Sequence, residues 1–347
     1  MSDETTEILR LHAEKTEQGD RPTRESLDAL RADGAFALRT PRAYGGAWAG
    51  TEAIALRLSE LGRACPSSAW IAGTCVTSKN LTTRCLPDEA LRACFADPDA
   101  LFCGSGVPRA RGERTADGVR IDGRWSYVSG CEDATWAGLG LMVDGRFSYA
   151  VVPTADLVVE RTWNMAGMRG TGSQTLVASG VVVPDAHVRA AEPFGGRDLL
   201  LYGTTVLAPV VGGTWGALDL TEAMFASDRK PFMTGYARMG DSPGARHWLA
   251  EAAHLARRAR RTMLAVARAA DDDDLPEAGI PRLRMELADA GRDCRAAVER
   301  VMDLHGTGGF AARNPLQRFW RDVSVGSRHP HLNPYLGIEN YGTALAG

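Results

Sequence analysis

The sequence predicts an α+β multidomain chain: an N-terminal α-helical domain over residues 1–100, a central β domain over 101–190 and a C-terminal helical bundle over 191–347. Three observations carry this. Apolar residues recur at helical spacing up to about residue 100. At Leu101 the pattern changes to period 2, with short runs separated by turn residues. Near Pro184 the helical period returns and lengthens into two long amphipathic stretches.

In the first part, Thr23 caps a helix carrying Leu27 and Leu30, which ends near Asp33-Gly34. The stretch AFALRTPRAYGGAWAG is a loop marked by Pro41 and Gly45-Gly46. Thr51 is predicted to cap the next helix, with Ile54, Leu58 and Leu61 on one face. Pro66 suits a first helical turn, and Ser67 to Val76 continues with small, apolar residues suited to close packing. Pro87-Asp88-Glu89 opens a short helix with acids placed well for its dipole.

Strands are predicted over 101–105, 118–128, 134–143, 147–153, 157–163 and 174–184. The separators are Asp117-Gly118, Asp122-Gly123, Asp144-Gly145, Pro153 and Gly180. Such spacing suits a small barrel or sandwich, and a mixed parallel sheet is not expected. The organising stretch is Gly123–Gly140: a strand with Trp125 and Tyr127 alternating against polar residues, a polar turn at Ser129-Gly130, then a second strand. Taken alone it reads as a hairpin with aromatic cross-strand packing.

A loop over 185–200 carries Pro193 and Gly195-Gly196, and 205–226 is apolar and softened by glycines. Residues 243–270 form a long helix with Leu249, Ala253, Ala256, Met263 and Val266 inward. Arg257, Arg258, Arg260 and Arg261 make a basic outer face. Asp271–Asp274 ends it as a solvated acidic turn. Residues 281–305 form a second long helix, with Leu283, Leu287, Ala290, Cys294, Val298 and Val301 in one stripe. These stripes are broader than a lone bundle needs, which points to a homotetramer or homodimer.

A formal charge of -3 gives no reason to expect nucleic acid or anionic membrane as a partner. The charged start carries no secretory h-region, and no apolar run is read as approaching a membrane span. Seven scattered cysteines without CxxC suggest neither a disulfide framework nor a metal site, and fit reduced thiols in the cytoplasm. GSGVPRARG (104–112) has Arg109 where a dinucleotide fingerprint has its last glycine, and more strand follows it.

The strings PRAYGG (41–46), LFCGS (101–105) to GRWSYVSG (123–130), WNMAGMRGTGSQT (163–175), VVVP (181–184) and NPLQRFWRD (314–322), in this order, resemble the acyl-CoA dehydrogenase fold. The resemblance implies an N-terminal helical domain, a central β-barrel and a C-terminal four-helix bundle. Dehydrogenases of this fold use a carboxylate in a Tyr-Glu-Gly-Thr string as base; here Tyr341 holds its place, and Glu339 is out of register. RACPSSAW (63–70), GRWSYVSGCEDATW and RFWRDVSVGSRHPH resemble another branch, the oxygenase components of two-component (group D) flavin-dependent monooxygenases. In these a separate NAD(P)H flavin reductase supplies reduced FMN or FAD.

That branch implies hydroxylation of an aromatic or amine-bearing small molecule by O2, through a flavin C4a-hydroperoxide. It implies Ser129 and His329 as catalytic residues around the flavin, with His331 as fallback. Related sequences carry a further histidine where this chain has Gly326. The turn Thr171-Gly172-Ser173 is expected along the flavin as an anion-binding nest, and Trp125, with Trp163, beside the ring. One of Arg229, Lys230 and Arg238 is expected at the flavin phosphate, with Arg238 the choice. The remaining histidines read as structural. Two rival readings stay in play: a flavin dehydrogenase or oxidase acting on an acyl thioester, and a non-catalytic assembly subunit.

Overall fold

The computed structural model describes residues 3–191 and 195–347; Pro193 of the predicted loop lies outside them. The chain divides into two compact units. One comprises the residues up to Gly50, Trp70–Met165 and Arg169–Gly195; the other comprises Thr51–Ala69, Ala166–Met168 and Gly196–Gly347.

The first unit opens with α1 (Glu4–Gln18) and α2 (Arg24–Ala32). The predicted cap holds: the Thr23 hydroxyl accepts from the Ser26 N–H at 3.2 Å. α4 (Pro66–Cys85) begins in the second unit and runs into the first; α5 (Asp88–Cys94) follows. Lys79 on α4 is fully buried. Its ammonium donates to the Phe36 carbonyl at 2.7 Å, the Thr40 hydroxyl at 2.9 Å and the Pro98 carbonyl at 2.7 Å, and lies 5.2 Å from the Phe102 ring. Desolvation holds its pKa below the usual lysine value, and those three acceptors make the buried charge tolerable.

Eight strands follow among the described residues: β1 (Phe102–Ser105), β2 (Ala110–Thr115), β3 (Gly118–Val128), β4 (Trp136–Val143), β5 (Arg146–Pro153), β6 (Val158–Glu160), β7 (Gln174–Val183) and β8 (Val188–Ala190). They form one sheet in the order β6-β7-β3-β2-β4-β5-β8, with β1 also on β4. Two expectations are corrected here. The sheet is mixed, because β1 and β2 both run parallel to β4. Gly123–Gly140 is not a hairpin: β3 pairs with β2 and β7, β4 with β1, β2 and β5. The long run 102–115 lies alongside β4 and leaves β3 on β2's other edge. β2 itself, ARGERT, went unread because its charges mask a buried-exposed alternation. The predicted run 157–163 shortens to β6.

The second unit packs α3 (Thr51–Ala64) with α6 (Gly196–Ala226), α7 (Pro243–Ala270), α8 (Ile280–His305), α9 (Pro315–Gly326) and α10 (Pro334–Ala346). The stripe on α8 is buried as predicted, and Arg258 on the basic face of α7 pairs with Asp293. Thr51 does not cap α3. Asp271 does, accepting from the Thr51 N–H at 2.8 Å and the Glu52 N–H at 3.2 Å, so this acidic turn is not merely solvated. A carboxylate at a helix N-terminus satisfies open N–H groups and meets the positive end of the dipole. α6 is long and apolar enough to cross a bilayer, which corrects the reading that no run approaches that length. It is a core helix, with 83% of its apolar window buried. A Cβ on Gly212 would stand 2.2 Å from the Ser59 carbonyl oxygen, so glycine is what lets α6 and α3 approach.

Candidate active site

In the first unit the residues around Ser129 form a chain of buried hydroxyls. β3 carries register shifts between Ile121 and Gly123 and between Trp125 and Val128. The second leaves Tyr127 at φ 64° and 67% exposed, and re-aims the strand end into the turn that holds Ser129. The Ser129 hydroxyl accepts from the Trp70 indole N–H at 3.2 Å and lies 2.8 Å from the Ser173 hydroxyl. Ser173 in turn lies 2.7 Å from the Thr171 hydroxyl. All three hydroxyl residues are buried. The turns are joined through the backbone as well, the Gly130 N–H donating to the Thr171 carbonyl at 2.8 Å.

The loop after α1 holds both turns. Arg21 makes a two-pronged pair with Asp133, one arm at 2.9 Å, and Arg169 donates to Asp20 at 2.7 Å. Gly172 sits at φ 50° under the Asp20 carbonyl, where a Cβ would come within 2.9 Å of the oxygen. None of this clamp was read from the sequence. Arg21 and Asp133 lie 112 positions apart, and the only local sign was the charged run Cys131-Glu132-Asp133.

Two sequence expectations change. Trp125 has no exposed surface, and its indole N–H donates to the Gly140 carbonyl at 2.8 Å, so it is core and offers no face to a cofactor. Trp163 is half-buried and meets exposed Tyr127 edge-on at 5.9 Å, so this pair presents aromatic surface in its place. In the turn Thr171–Ser173, one backbone N–H and the hydroxyls are engaged within the protein. The Gly172 N–H donates to the Arg169 carbonyl at 3.2 Å, and the flanking hydroxyls are turned to Ser129.

In the second unit, His329 precedes a short 3-10 turn, Pro330–Leu332, and its Nδ1 accepts from the His331 backbone N–H at 3.3 Å. With Nδ1 an acceptor, the neutral ring carries its proton on Nε2. The two imidazoles lie 5.3 Å apart, and Tyr202 of α6 is 6.3 Å from His331. Burial, with repulsion from His331, pushes the His329 pKa down to about 3; burial and Arg284 push His331 down to about 4. Both rings are therefore neutral at pH 7. Gly326, the last residue of α9, is buried, so His331 is the histidine that stands beside His329. Arg238 is exposed and pairs with Asp241 at 3.7 Å. Arg229 donates to the His305 carbonyl at 2.7 Å. Tyr341 and Glu339 lie on α10, and Glu339 is exposed. No group of three or more potential metal ligands occurs among the described residues.

Two family models match: the acyl-CoA dehydrogenase N-terminal domain over residues 4–83, and the acyl-CoA dehydrogenase C-terminal domain over 204–334. The chain is 30% identical to the FADH(2)-dependent resorcinol hydroxylase, oxygenase component, of Rhizobium sp., over 94% of this chain and 88% of that protein. It is 28% identical to the flavin-dependent monooxygenase oxygenase subunit HsaA of Rhodococcus jostii, over 98% and 95%. Among solved structures, XiaF from Streptomyces sp. in complex with FADH2 and glycerol superposes with a TM-score of 0.91 at 27% identity, covering 99% of this chain and 93% of that one.

Proposed function

The chain belongs to the oxygenase components of the flavin-dependent monooxygenases with the acyl-CoA dehydrogenase fold, and on that premise we propose that it hydroxylates a small aromatic substrate at a flavin site built around Ser129. Reduced FMN or FAD, delivered by a separate NAD(P)H reductase, supplies the activation of O2. The related resorcinol hydroxylase favours a phenol-like ring as substrate. The observation that carries the site is the buried hydroxyl chain Trp70–Ser129–Ser173–Thr171. It is a neutral donor-acceptor set, and it suits the N5 edge of a flavin, which is a hydrogen-bond donor when reduced and an acceptor when oxidised.

Each residue then has one task. Ser129 would hydrogen-bond N5 of the bound flavin and slow the loss of its proton. Thr171, Gly172 and Ser173 back Ser129, and the Tyr127–Trp163 pair borders the ring. His329, neutral with its proton on Nε2, donates to the oxygen in play; it takes up a second proton only when a negative charge such as a phenolate forms beside it. Arg238, exposed, would contact the flavin phosphate. The enzyme works in the cytoplasm as a homotetramer or homodimer; its cysteines are all free thiols. The division into domains at 1–100, 101–190 and 191–347 is kept as the evolutionary one. Tyr341 in the place of a carboxylate speaks against acyl-thioester dehydrogenation.

The test is anaerobic binding of FMNH2 and FADH2, followed by mixing with O2 in the presence of a panel of phenols and indoles. Hydroxylated product is expected, and Ser129→Ala should release several-fold more hydrogen peroxide per flavin oxidised, as the loss of a hydrogen bond worth about 1 kcal/mol predicts. Failure to bind either flavin, or turnover of acyl thioesters alone, would sink the reading.

A further inference from the structure

Five arginines lie along α8, and four of them have acceptors. Arg282 pairs with Glu286, Arg292 with Asp289 at 3.1 Å and Arg300 with Glu251 at 2.8 Å. Arg295 donates to the Ser327 carbonyl at 3.1 Å and to its hydroxyl at 2.9 Å. Arg284 is the exception: half-buried, it has no hydrogen bond or ion pair among the described residues. Burial pushes its pKa down, and no nearby acid pushes back. A guanidinium cannot shed its proton to escape that cost, so what offsets it is an anion. Its place is the histidine site. On α8 it shares a face with Leu287, Ala288 and Gly291. Leu287 and His331 meet at Gly203 of α6, where a Cβ would stand 2.6 Å from the Leu287 Cδ1 and 4.0 Å from the His331 Cβ. Arg284 lies one turn before Leu287, near enough that its charge helps to keep His331 neutral. The His331 ring makes ring contacts with His329 and Tyr202, and neither of its nitrogens has a hydrogen-bond partner among the described residues.

We propose that Arg284 is a specificity-determining residue that binds a carboxylate on the aromatic substrate, with the His331 imidazole N–H as a second donor. This rests on the proposed reaction taking place beside His329. The guanidinium fork matches the two oxygens of a carboxylate, and such a pair is stronger than a bond between neutral groups. A free phenol, with a pKa of about 10, is neutral at pH 7 and brings no charge to offset the cation, whereas a carboxylate arrives ionised. With both histidines neutral, one cation meets one anion and the filled site carries no net charge. The preferred substrates are therefore aromatic acids, held with the ring toward His329 and the carboxylate toward α8.

The measurement is calorimetric binding of hydroxyphenyl carboxylates and of their neutral primary amides to the full chain, with and without anaerobically reduced flavin. Each acid is expected to bind more tightly than its amide. Arg284→Gln should lower the ratio of the two affinities by about 10- to 100-fold, the worth of a charge-assisted hydrogen bond. Arg284→Lys, which keeps the charge but not the fork, should restore part of the ratio. In hydroxylation assays the loss should fall on KM for the acid more than on kcat. An acid that binds no better than its amide, or a ratio that Arg284→Gln leaves unchanged, overturns the proposal; hydroxylation of neutral phenols would then leave the flavin chemistry standing. The flavin phosphate is the rival anion, and comparing FMN with riboflavin decides between the two. A preference for FMN that Arg284→Gln abolishes assigns the residue to the phosphate and overturns the proposal. Should Arg284→Gln fail to fold, the acid-to-amide ratio in the wild type and in Arg284→Lys decides. Acid binding that Arg284→Gln abolishes, in a protein that hydroxylates nothing, keeps the carboxylate site and removes the proposed reaction.

Discussion

The two polar clusters of this enzyme solve burial differently. Around Ser129 each hydroxyl is matched to a neighbour, so nothing there titrates and the cluster is as satisfied at pH 5 as at pH 9. At His329 and His331 two ionisable rings stand 5.3 Å apart with Arg284 nearby, and the surroundings force both to stay neutral. The first arrangement fixes the direction of hydrogen bonds. The second suppresses a charge. Under the proposed function the first would guard N5 regardless of pH, and the second would take up a proton only when the reaction creates an anion.

The largest break in this comparison is His329→Ala. Loss of a general acid–base should lower hydroxylation by about 10² to 10⁴, read as product formed in rapid mixing with O2. Because the ring is neutral throughout the neutral range, the remaining activity should show the same pH dependence between 6 and 8 as the wild type. A pH profile that flattens only in the variant would mean that His329 titrates near its ordinary value, and the suppressed-charge description would be wrong.

The next effect is on stability. A histidine held below its ordinary pKa binds fewer protons folded than unfolded. Its contribution is therefore present in full above about pH 6.5 and is lost as pH falls toward about 4 for His331 and about 3 for His329. Each group adds a slope of about 1.4 kcal/mol per pH unit inside its window. Urea unfolding between pH 7 and pH 4.5 should show a steep loss of stability, made shallower by His331→Gln. Equal slopes in the two proteins would place the acid sensitivity elsewhere.

How far the sequence reached follows from the range of the interactions concerned. The helices of the second unit were legible because each carries its apolar stripe locally, as on α8 from Leu283 to Val301. Ser129, Thr171 and Ser173 were singled out by motif, but their mutual contact was not, since 44 positions separate Ser129 from Ser173. Trp70 was read as part of a packing helix, and nothing nearby marked its N–H as aimed at Ser129. The strand partners of Gly123–Gly140 were misread for the same reason. A polar turn between two strands looks like a hairpin whenever the strand that separates them, here β2, is hidden by its charges.

Trp125 gives the smallest effect and sharpens the contrast between site and core. It sits on the strand that leads to Ser129, yet it is sealed in the sheet interior with its N–H on the Gly140 carbonyl. Trp125→Phe removes that bond, leaves a buried carbonyl without its donor and opens a small void. Together these should cost about 2 kcal/mol of stability, measured by urea unfolding. Flavin affinity and the yield of hydroxylated product per flavin oxidised should be unchanged, because the ring is fully buried with its N–H on the Gly140 carbonyl. Ser129→Ala should do the reverse, raising peroxide release at nearly constant stability. If Trp125→Phe weakened flavin binding while leaving stability intact, the indole would have to be returned to the cofactor site, and the bulged end of β3 would be organised around two residues rather than one.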